Sequence, residues 1–258
     1  MTAYQAFPNL AETKSQFKKI FMATAPHQNR YTVFSDFVFF MAASLKNSLV
    51  KLNKNLFDQD IENEYLKKIN QYKKEDQNRF CELYALAVLI ADQKGVPADN
   101  LGEFFMEMEF TEDSKGQFFT PNEISLLMAE MQMSNAHSIL NEKGFISICD
   151  PACGAGSTLL ACITNCMEKG LNPNKEIFIQ GTDIDRTVAL MCYVQLSLWH
   201  IPCEILVGNS LNNHIREVWH SPAYHLGFWK QKIKNDKIEN LPKKENEINF
   251  ILIGESYT

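Results

Sequence analysis

The sequence lacks several features that would each indicate a particular class of protein. Positive charge is not in excess, because 25 Lys and Arg stand against 31 Asp and Glu and the formal net charge is −6. The chain as a whole is therefore not attracted to nucleic acid, and contact with DNA would need a local basic patch or a basic partner. Long apolar runs are also lacking: residues 37–43 and 83–91 are far too short to span a bilayer. We expect no contact with a membrane.

The cysteines do not form a recognisable disulfide or metal pattern. There are seven, an odd number, and no charged-then-apolar leader with a cleavage site is recognisable, so we expect a protein of the reducing cytoplasm. Cys149/Cys153 and Cys162/Cys166 are each four residues apart rather than in C-x-x-C knuckles, and no His completes a set. Cysteine is also a common small core residue, so no metal site is predicted.

The first 110 residues show the periodicity of helices, and no internal repeat is found. Apolar residues recur at helical spacing in residues 31–52, and further helical patterns cover residues 58–74, 77–92 and 100–108. An aromatic stripe at this spacing is more typical of core packing than of a ligand box. We predict an α-helical N-terminal domain over residues 1–110 and a second domain over residues 111–258.

Strands and helices alternate in the second part. This order predicts an α/β domain with a partial doubly wound, Rossmann-like parallel sheet that binds ligands at the carboxyl ends of its strands. Polar residues close the first three strands, namely Asp150, Asp183 and Asn209. The predicted strands are residues 145–150, 177–182, 204–207 and 248–253, with helices over 156–168 and from Asp183-Ile184-Asp185 through Trp199.

A glycine-containing turn follows the first strand. Gly154 and Gly156 would let the backbone approach a ligand, and the following helix N-terminus offers unpaired N–H groups to an anion or carboxylate. A structural turn between strand and helix can also use glycine. At the end of the second strand, Asp183 could accept hydrogen bonds from both hydroxyls of a ribose, or it could simply cap the next helix.

Residues 214–249 are expected to form a long connection. Its part from Lys230 to Lys244 is rich in lysine and follows several aromatic residues. A basic strip beside aromatics could contact a nucleic-acid backbone, whereas a solvated loop is the commoner explanation of such a run.

Four motifs occur in an order that resembles a known family. They are Gly-Gln-Phe-Phe-Thr-Pro at 116–121, Asp-Pro-Ala-Cys-Gly-Ala-Gly at 150–156, Gly-Thr-Asp-Ile-Asp at 181–185 and Gly-Asn-Ser-Leu at 208–211. The chain resembles, over residues 95–258, the adenine-N6 DNA methyltransferases of type I restriction–modification systems, the modification-subunit family. The alternative for Thr120 and Pro121 is an ordinary helix start.

The resemblance implies S-adenosylmethionine as cofactor. It implies that Phe119 and Thr120 line the methionine end, and that Asp150 and the Gly154 turn hold the amino and carboxylate groups. It further implies that Asp183 binds the ribose, that Ile184 packs on the adenine, and that Asn209 stands where the family often has Asp. The full set of cofactor-binding candidates is Gln117, Phe118, Phe119, Thr120, Pro121, Asp150, Ala152, Cys153, Gly154, Gly156, Ser157, Asp183, Ile184, Asn209 and Ser210.

The sequence departs from the family after the fourth predicted strand. The family has Asn-Pro-Pro followed by Phe or Tyr there, and this chain has Gly254-Glu255-Ser256-Tyr257. Tyr257 is the catalytic candidate, since it could stack on a flipped base. The acceptor Asn and the prolines are missing, so we expect either a DNA methyltransferase that needs a partner, such as a specificity subunit, or a catalytically inactive relative with a binding or regulatory role. A methylase of RNA, protein or a small molecule is a third hypothesis.

The sheet is expected to be truncated after that fourth strand. An apolar edge strand exposes unpaired N–H and C=O groups and tends to pair with other chains. We therefore expect the edge to be covered by the N-terminal helices, by a second copy of the chain or by a partner.

Overall fold

The described residues up to position 110 contain five α-helices. A computed structural model describes residues 8–110, 120, 122–239 and 251–252. The first helix begins at a capping box, in which the Asn9 side chain accepts from Glu12 N–H while the Glu12 side chain accepts from Asn9 N–H. The helices are α1 (Leu10–Ala23), α2 (Arg30–Lys46), α3 (Gln59–Ile69), α4 (Lys74–Lys94) and α5 (Asn100–Glu107).

Helix α2 is the centre of this helical part. Its side chains from Phe37 through Ala43 are all buried, so the helix is apolar around most of its circumference. The sequence predicted that it continues to residue 52, which is wrong, because the helix ends at Lys46. The cause is a tertiary contact: the side chain of Asn47 accepts from Asp58 N–H at 2.9 Å and donates to Asp58 O at 3.2 Å.

In the second part, the described residues form a five-stranded sheet of order β4-β3-β2-β1-β5. All neighbouring strands are parallel except β3 and β4, which pair antiparallel with an irregularity between Val207 and Gly208. The strands are β1 (Ile146–Asp150), β2 (Ile177–Asp183), β3 (Cys203–Asn209), β4 (His214–His220) and β5 (Ile251–Leu252). The remaining helices are α6 (Asn122–Gln132), α7 (Ala136–Lys143), α8 (Ser157–Glu168), α9 (Pro173–Glu176), α10 (Arg186–Leu198), α11 (Pro222–Leu226) and α12 (Trp229–Glu239).

The expected long connection over residues 214–249 is wrong in its first part. Residues 214–220 form the antiparallel strand β4, and two helices follow it through residue 239. Arg216 and Glu217 interrupt the apolar alternation that would predict a strand here. Strand β4 is instead defined by its backbone pairing with β3. The lysine-rich run therefore begins in a helix and not in a loop, and residues 240–250 lie outside the described part of the chain.

Helices cover both faces of the sheet, which confirms the predicted Rossmann-like α/β class. Helix α10 packs on β2 and β3. On the other face, Trp229 of α12 stacks on Phe178 at a ring distance of 5.9 Å and meets Phe145 edge-on at 5.4 Å. One buried apolar cluster runs from Phe17 in α1 to Trp219 in β4, so the helical part and the sheet share a core. The domain boundary at residue 110 stays a prediction.

Within the described residues, none of the helices combines the length and the apolar character needed to cross a bilayer.

Candidate functional site

The three polar residues that were predicted at strand ends lie at one edge of the sheet. Asp150, Asp183 and Asn209 are the last residues of β1, β2 and β3, and these three strands are adjacent and parallel. Parallel strands place their carboxyl ends together, so the tertiary structure brings these side chains to the same edge.

The turn after β1 is held against the end of β2 by two backbone donors. Cys153 N–H donates to Thr182 O at 2.9 Å, and Gly154 N–H donates to the Asp183 carboxylate at 2.9 Å. Gly154 has φ +55°, in the left-handed region that favours glycine, and a Cβ on it would meet no atom within 4 Å. The space beside this glycine is therefore open to a ligand.

Asp150 and Asp183 are two desolvated carboxylic acids at this edge. Asp150 is only 6% exposed and accepts from Ala152 N–H at 3.0 Å. The pKa of Asp150 is raised to about 6, chiefly by burial and to a lesser extent by the neighbouring Asp183, while the hydrogen bond from Ala152 N–H acts in the opposite direction. Burial likewise raises the pKa of Asp183. Neither side chain forms an ion pair among the described residues, so the site favours a ligand that brings positive charge or hydroxyl donors.

The capping role at the start of α10 belongs to Asp185. Its side chain accepts from Thr187 N–H at 2.8 Å and from Val188 N–H at 3.2 Å. Asp183 instead accepts from Asp185 N–H at 2.9 Å with the oxygen that does not bind Gly154. Of the two sequence interpretations of Asp183, helix capping is therefore wrong, whereas ribose binding remains a prediction.

The start of α8 meets the end of the predicted Phe-Thr-Pro segment. The Ser157 hydroxyl lies 3.4 Å from Thr120 O and 3.0 Å from the Ser125 hydroxyl. Gly156 precedes α8 and gives it no side-chain cap, so the first N–H groups of this helix lack that partner. Gln117, Phe118, Phe119, Pro121 and Tyr257 lie outside the described residues, as do Gly254, Glu255 and Ser256.

Exposed apolar side chains flank the ends of β2 and β3. Ile184 is 62% exposed and Leu211 is 95% exposed. The Asn209 side-chain oxygen accepts from Leu211 N–H at 2.9 Å, and it keeps a second lone pair for another donor. Ser210 follows Asn209 in this turn and is half-buried. The exposed side chains of Ile184 and Leu211 offer apolar surface on which a flat heterocycle can pack.

Two of the candidates face the protein core. A Cβ on Gly156 would lie 2.8 Å from the Cys192 sulfur, and the Cys153 side chain is buried close to Gly181. The Cys153 side chain is therefore not available to a ligand, and its backbone N–H and C=O groups bind Thr182 O and Gly156 N–H. Ala152 is exposed at the start of the turn.

Sequence reasoning missed a buried glutamine that supports the turn. Gln195 of α10 accepts from Leu101 N–H at 3.0 Å and donates to Ala155 O at 2.9 Å and to the Asp99 side chain at 2.8 Å. It connects the glycine-containing turn with the start of α5 in the helical part. A polar residue inside an otherwise apolar helix was the signal that could have identified it.

The comparison with protein-family models agrees with the family that the motif order suggests. A model of the family described as N-6 DNA methylase matches residues 98–256. Among solved structures, the chain is similar to a protein from Listeria monocytogenes assigned to the class I S-adenosylmethionine-dependent methyltransferases, with 17% sequence identity and a TM-score of 0.40. That similarity covers 86% of this chain and 70% of the other. No curated protein matches the sequence significantly.

Proposed function

The chain belongs to the N-6 DNA methylase family, and we propose that it binds S-adenosylmethionine at the carboxyl ends of β1, β2 and β3 and takes part in the methylation of adenine N6 in DNA. The observation that carries the proposal is the hydrogen bond from Gly154 N–H to Asp183. It holds the glycine-containing turn beside the acidic residue that closes the next strand, so a helix N-terminus that suits an anionic group lies next to a carboxylate that suits hydroxyl donors.

The groups at the site fit the cofactor part by part. The ionised Asp150 attracts the ammonium group, and the uncapped N–H groups at the start of α8 suit the carboxylate. Asp183 has acceptor capacity left for the ribose hydroxyls, and the exposed Ile184 offers an apolar surface to the adenine. When bound, the cofactor supplies an activated methyl group.

The chain's own residues bind and orient this cofactor, and the target base needs a further acceptor. Gly254-Glu255-Ser256-Tyr257 stands where the family has Asn-Pro-Pro and an aromatic residue. Tyr257 supplies the stacking ring, while a partner supplies the acceptor and the recognition of the DNA sequence, as a specificity subunit would in a restriction–modification system. We place this assembly in the cytoplasm.

The second candidate function is a catalytically inactive methylase that serves as a cofactor- or DNA-linked binding protein. The replacement of the acceptor Asn by Gly254 favours it. The two candidates share the cofactor site and differ in methyl transfer, so separate measurements of binding and transfer distinguish them.

The binding test is calorimetric titration of S-adenosylmethionine into the wild-type protein, Asp183→Ala and Asp92→Ala. Asp92 is an exposed residue of α4 and serves as the matched control. We expect dissociation constants on the order of micromolar for wild type and control, and a loss of about tenfold or more in Asp183→Ala, which corresponds to about 1.4 kcal/mol. A well-folded wild type that does not bind would refute the cofactor proposal.

The transfer test uses labelled cofactor and duplex DNA. Methylation of adenine by the chain alone would refute the inactive alternative and the need for a partner. Cofactor binding without transfer by the chain alone is the result that we expect.

The oligomeric state is a separate part of the proposal. Strand β5 pairs with β1 at one end of the sheet order. We propose that a second copy of the chain or a partner chain covers β5, which sedimentation at increasing concentration would detect. A protein that stays monomeric, with β5 amides that exchange as fast as in an unfolded peptide, would contradict this.

A further inference from the structure

Helix α10 begins with an arginine, although a cation at a helix N-terminus is electrostatically unfavourable. Two carboxylates compensate for this position. Arg186 donates to both oxygens of Glu64 at 2.8 and 2.9 Å, in the bidentate geometry that gives the strongest pairs. Its Nε atom lies 2.8 and 3.1 Å from the two oxygens of Glu217.

The partners of Arg186 come from three other elements. Glu64 belongs to α3, Glu217 to β4, and Phe39 of α2 lies under the guanidinium at 4.8 Å from its ring centre. Glu217 is itself fixed, because Trp219 donates to it through Nε1 at 2.9 Å. The arginine therefore joins the helical part of the chain, the sheet edge and the start of α10.

The residues on both sides of Arg186 are also tied to other elements. The Thr187 hydroxyl lies 2.9 Å from the Ser35 hydroxyl of α2. On the other side, the Arg216 side chain of β4 donates to Ile184 O. The segment that carries Asp183 and Ile184 is thus held from outside by α2, α3 and β4.

The electrostatics of Arg186 agree with this geometry. Burial of the guanidinium lowers its pKa, but the hydrogen bonds and charges of Glu64 and Glu217 outweigh burial and raise the pKa overall. The side chains of Arg186 and Glu64 are 30% and 32% exposed, so the pair is partly desolvated and screened less by salt than a fully exposed surface pair.

We propose that Arg186 and Glu64 are positioning residues through which the helical part of the chain sets the affinity of the site for S-adenosylmethionine. They hold the Asp183-Ile184-Asp185 turn in its binding geometry without contacting the cofactor. The inference rests on the proposed cofactor site, and it adds that a partner that shifts α3 would change cofactor affinity.

The first experiment measures the dissociation constant of S-adenosylmethionine for wild type, Glu64→Gln, Arg186→Gln and the double variant. Glu107→Gln is the control, since Glu107 forms a more exposed ion pair with Lys18, between α5 and α1, at 2.5 Å. We expect each single variant to weaken binding about three- to tenfold, as coupling through direct contacts allows. The double variant should bind no more weakly than Arg186→Gln, and the control should bind like wild type.

The second experiment needs no cofactor. Hydrogen exchange of the backbone amides in residues 183–189 should be faster in Glu64→Gln than in wild type and unchanged in Glu107→Gln. If exchange is faster in Glu64→Gln but the wild type does not bind the cofactor, the proposed function is refuted, while the dependence of the turn on Glu64 is supported. Unchanged exchange together with unchanged affinity would overturn the inference while leaving the proposed function intact.

Discussion

Gly156 lies directly against Cys192, so that the start of α8 and the middle of α10 meet without room for a further atom. A Cβ on Gly156 would come within 2.8 Å of the Cys192 sulfur and 3.5 Å of its Cα. Gly154, two residues earlier, has open space where its Cβ would be. The two glycines of the turn therefore have different roles: Gly156 allows α8 to pack on α10, and Gly154 leaves space for a ligand.

Gly156→Ala should destabilise the protein more than Gly154→Ala. Both positions have positive φ, which costs alanine about 1–2 kcal/mol, and Gly156→Ala adds an overpacking cost of about 1–3 kcal/mol. Urea unfolding followed by circular dichroism measures the difference. Cys192→Ala should restore part of the stability in the Gly156→Ala background and none in the Gly154→Ala background. Equal losses for both glycines would contradict the packing argument.

Asp150 should make the stability of the protein depend on pH between about 4 and 6. Its folded pKa of about 6 is above the value of 3.8 for a solvated aspartate, so the folded state binds more protons than the unfolded state in this window. The free energy of unfolding therefore loses up to about 3 kcal/mol from this group as pH rises through the window. Asp150→Asn should lack this loss. In unfolding curves at pH 4, 5, 6 and 7, the free energy of unfolding of the variant should therefore rise relative to that of wild type as pH increases.

Cofactor affinity should have the opposite dependence on pH. Only the ionised Asp150 attracts an ammonium group, so S-adenosylmethionine should bind more tightly as pH rises through about 6. Calorimetric titration at pH 5 to 8 checks this, with Asp150→Asn as the variant whose affinity should vary less. An affinity in wild type that is constant over this range would show that Asp150 does not hold the ammonium group.

Gln195→Met should destabilise the protein although it keeps the size and shape of the side chain. The change leaves Leu101 N–H, Ala155 O and the half-buried Asp99 carboxyl without this partner, at a cost of about 2–4 kcal/mol. Thermal unfolding measures the loss. Gln59→Met is the control: Gln59 is exposed in α3, and its replacement should change stability by less than about 0.5 kcal/mol.

Trp229 should anchor α12 through its ring and not through its N–H group. The side chain is fully buried, and its Nε1 atom has no hydrogen-bond partner among the described residues. Trp229→Ala should cost about 3–5 kcal/mol, whereas Trp229→Phe keeps an aromatic ring and removes the unpaired donor, so it should cost markedly less. Chemical denaturation distinguishes the two, and similar losses would contradict the ring-packing account.

Much of the sheet could be predicted because its signals are local. The apolar strands around Ile148, Ile179 and Ile205 and the polar residues that close them follow one another at short range in the sequence. Strand β4 could not be predicted in this way, since Arg216 and Glu217 interrupt its apolar pattern, and it is defined by its antiparallel backbone pairing with β3 across the turn of residues 210–213. The end of α2 was missed for a related reason, because Asn47 bonds to a residue eleven positions away.

The sequence by itself determined the family, the alternation of β1, β2 and β3 with helices, and which residues stand at the ends of these strands, because motifs and hydrophobic periodicity are properties of consecutive residues. Only the tertiary structure decided that Asp185 and not Asp183 caps α10, that Gly154 donates to Asp183, and that Gly156 packs on Cys192. It alone also brought Glu64 to Arg186, 122 positions apart. These contacts depend on how elements distant in the sequence pack together, and no local pattern encodes that packing.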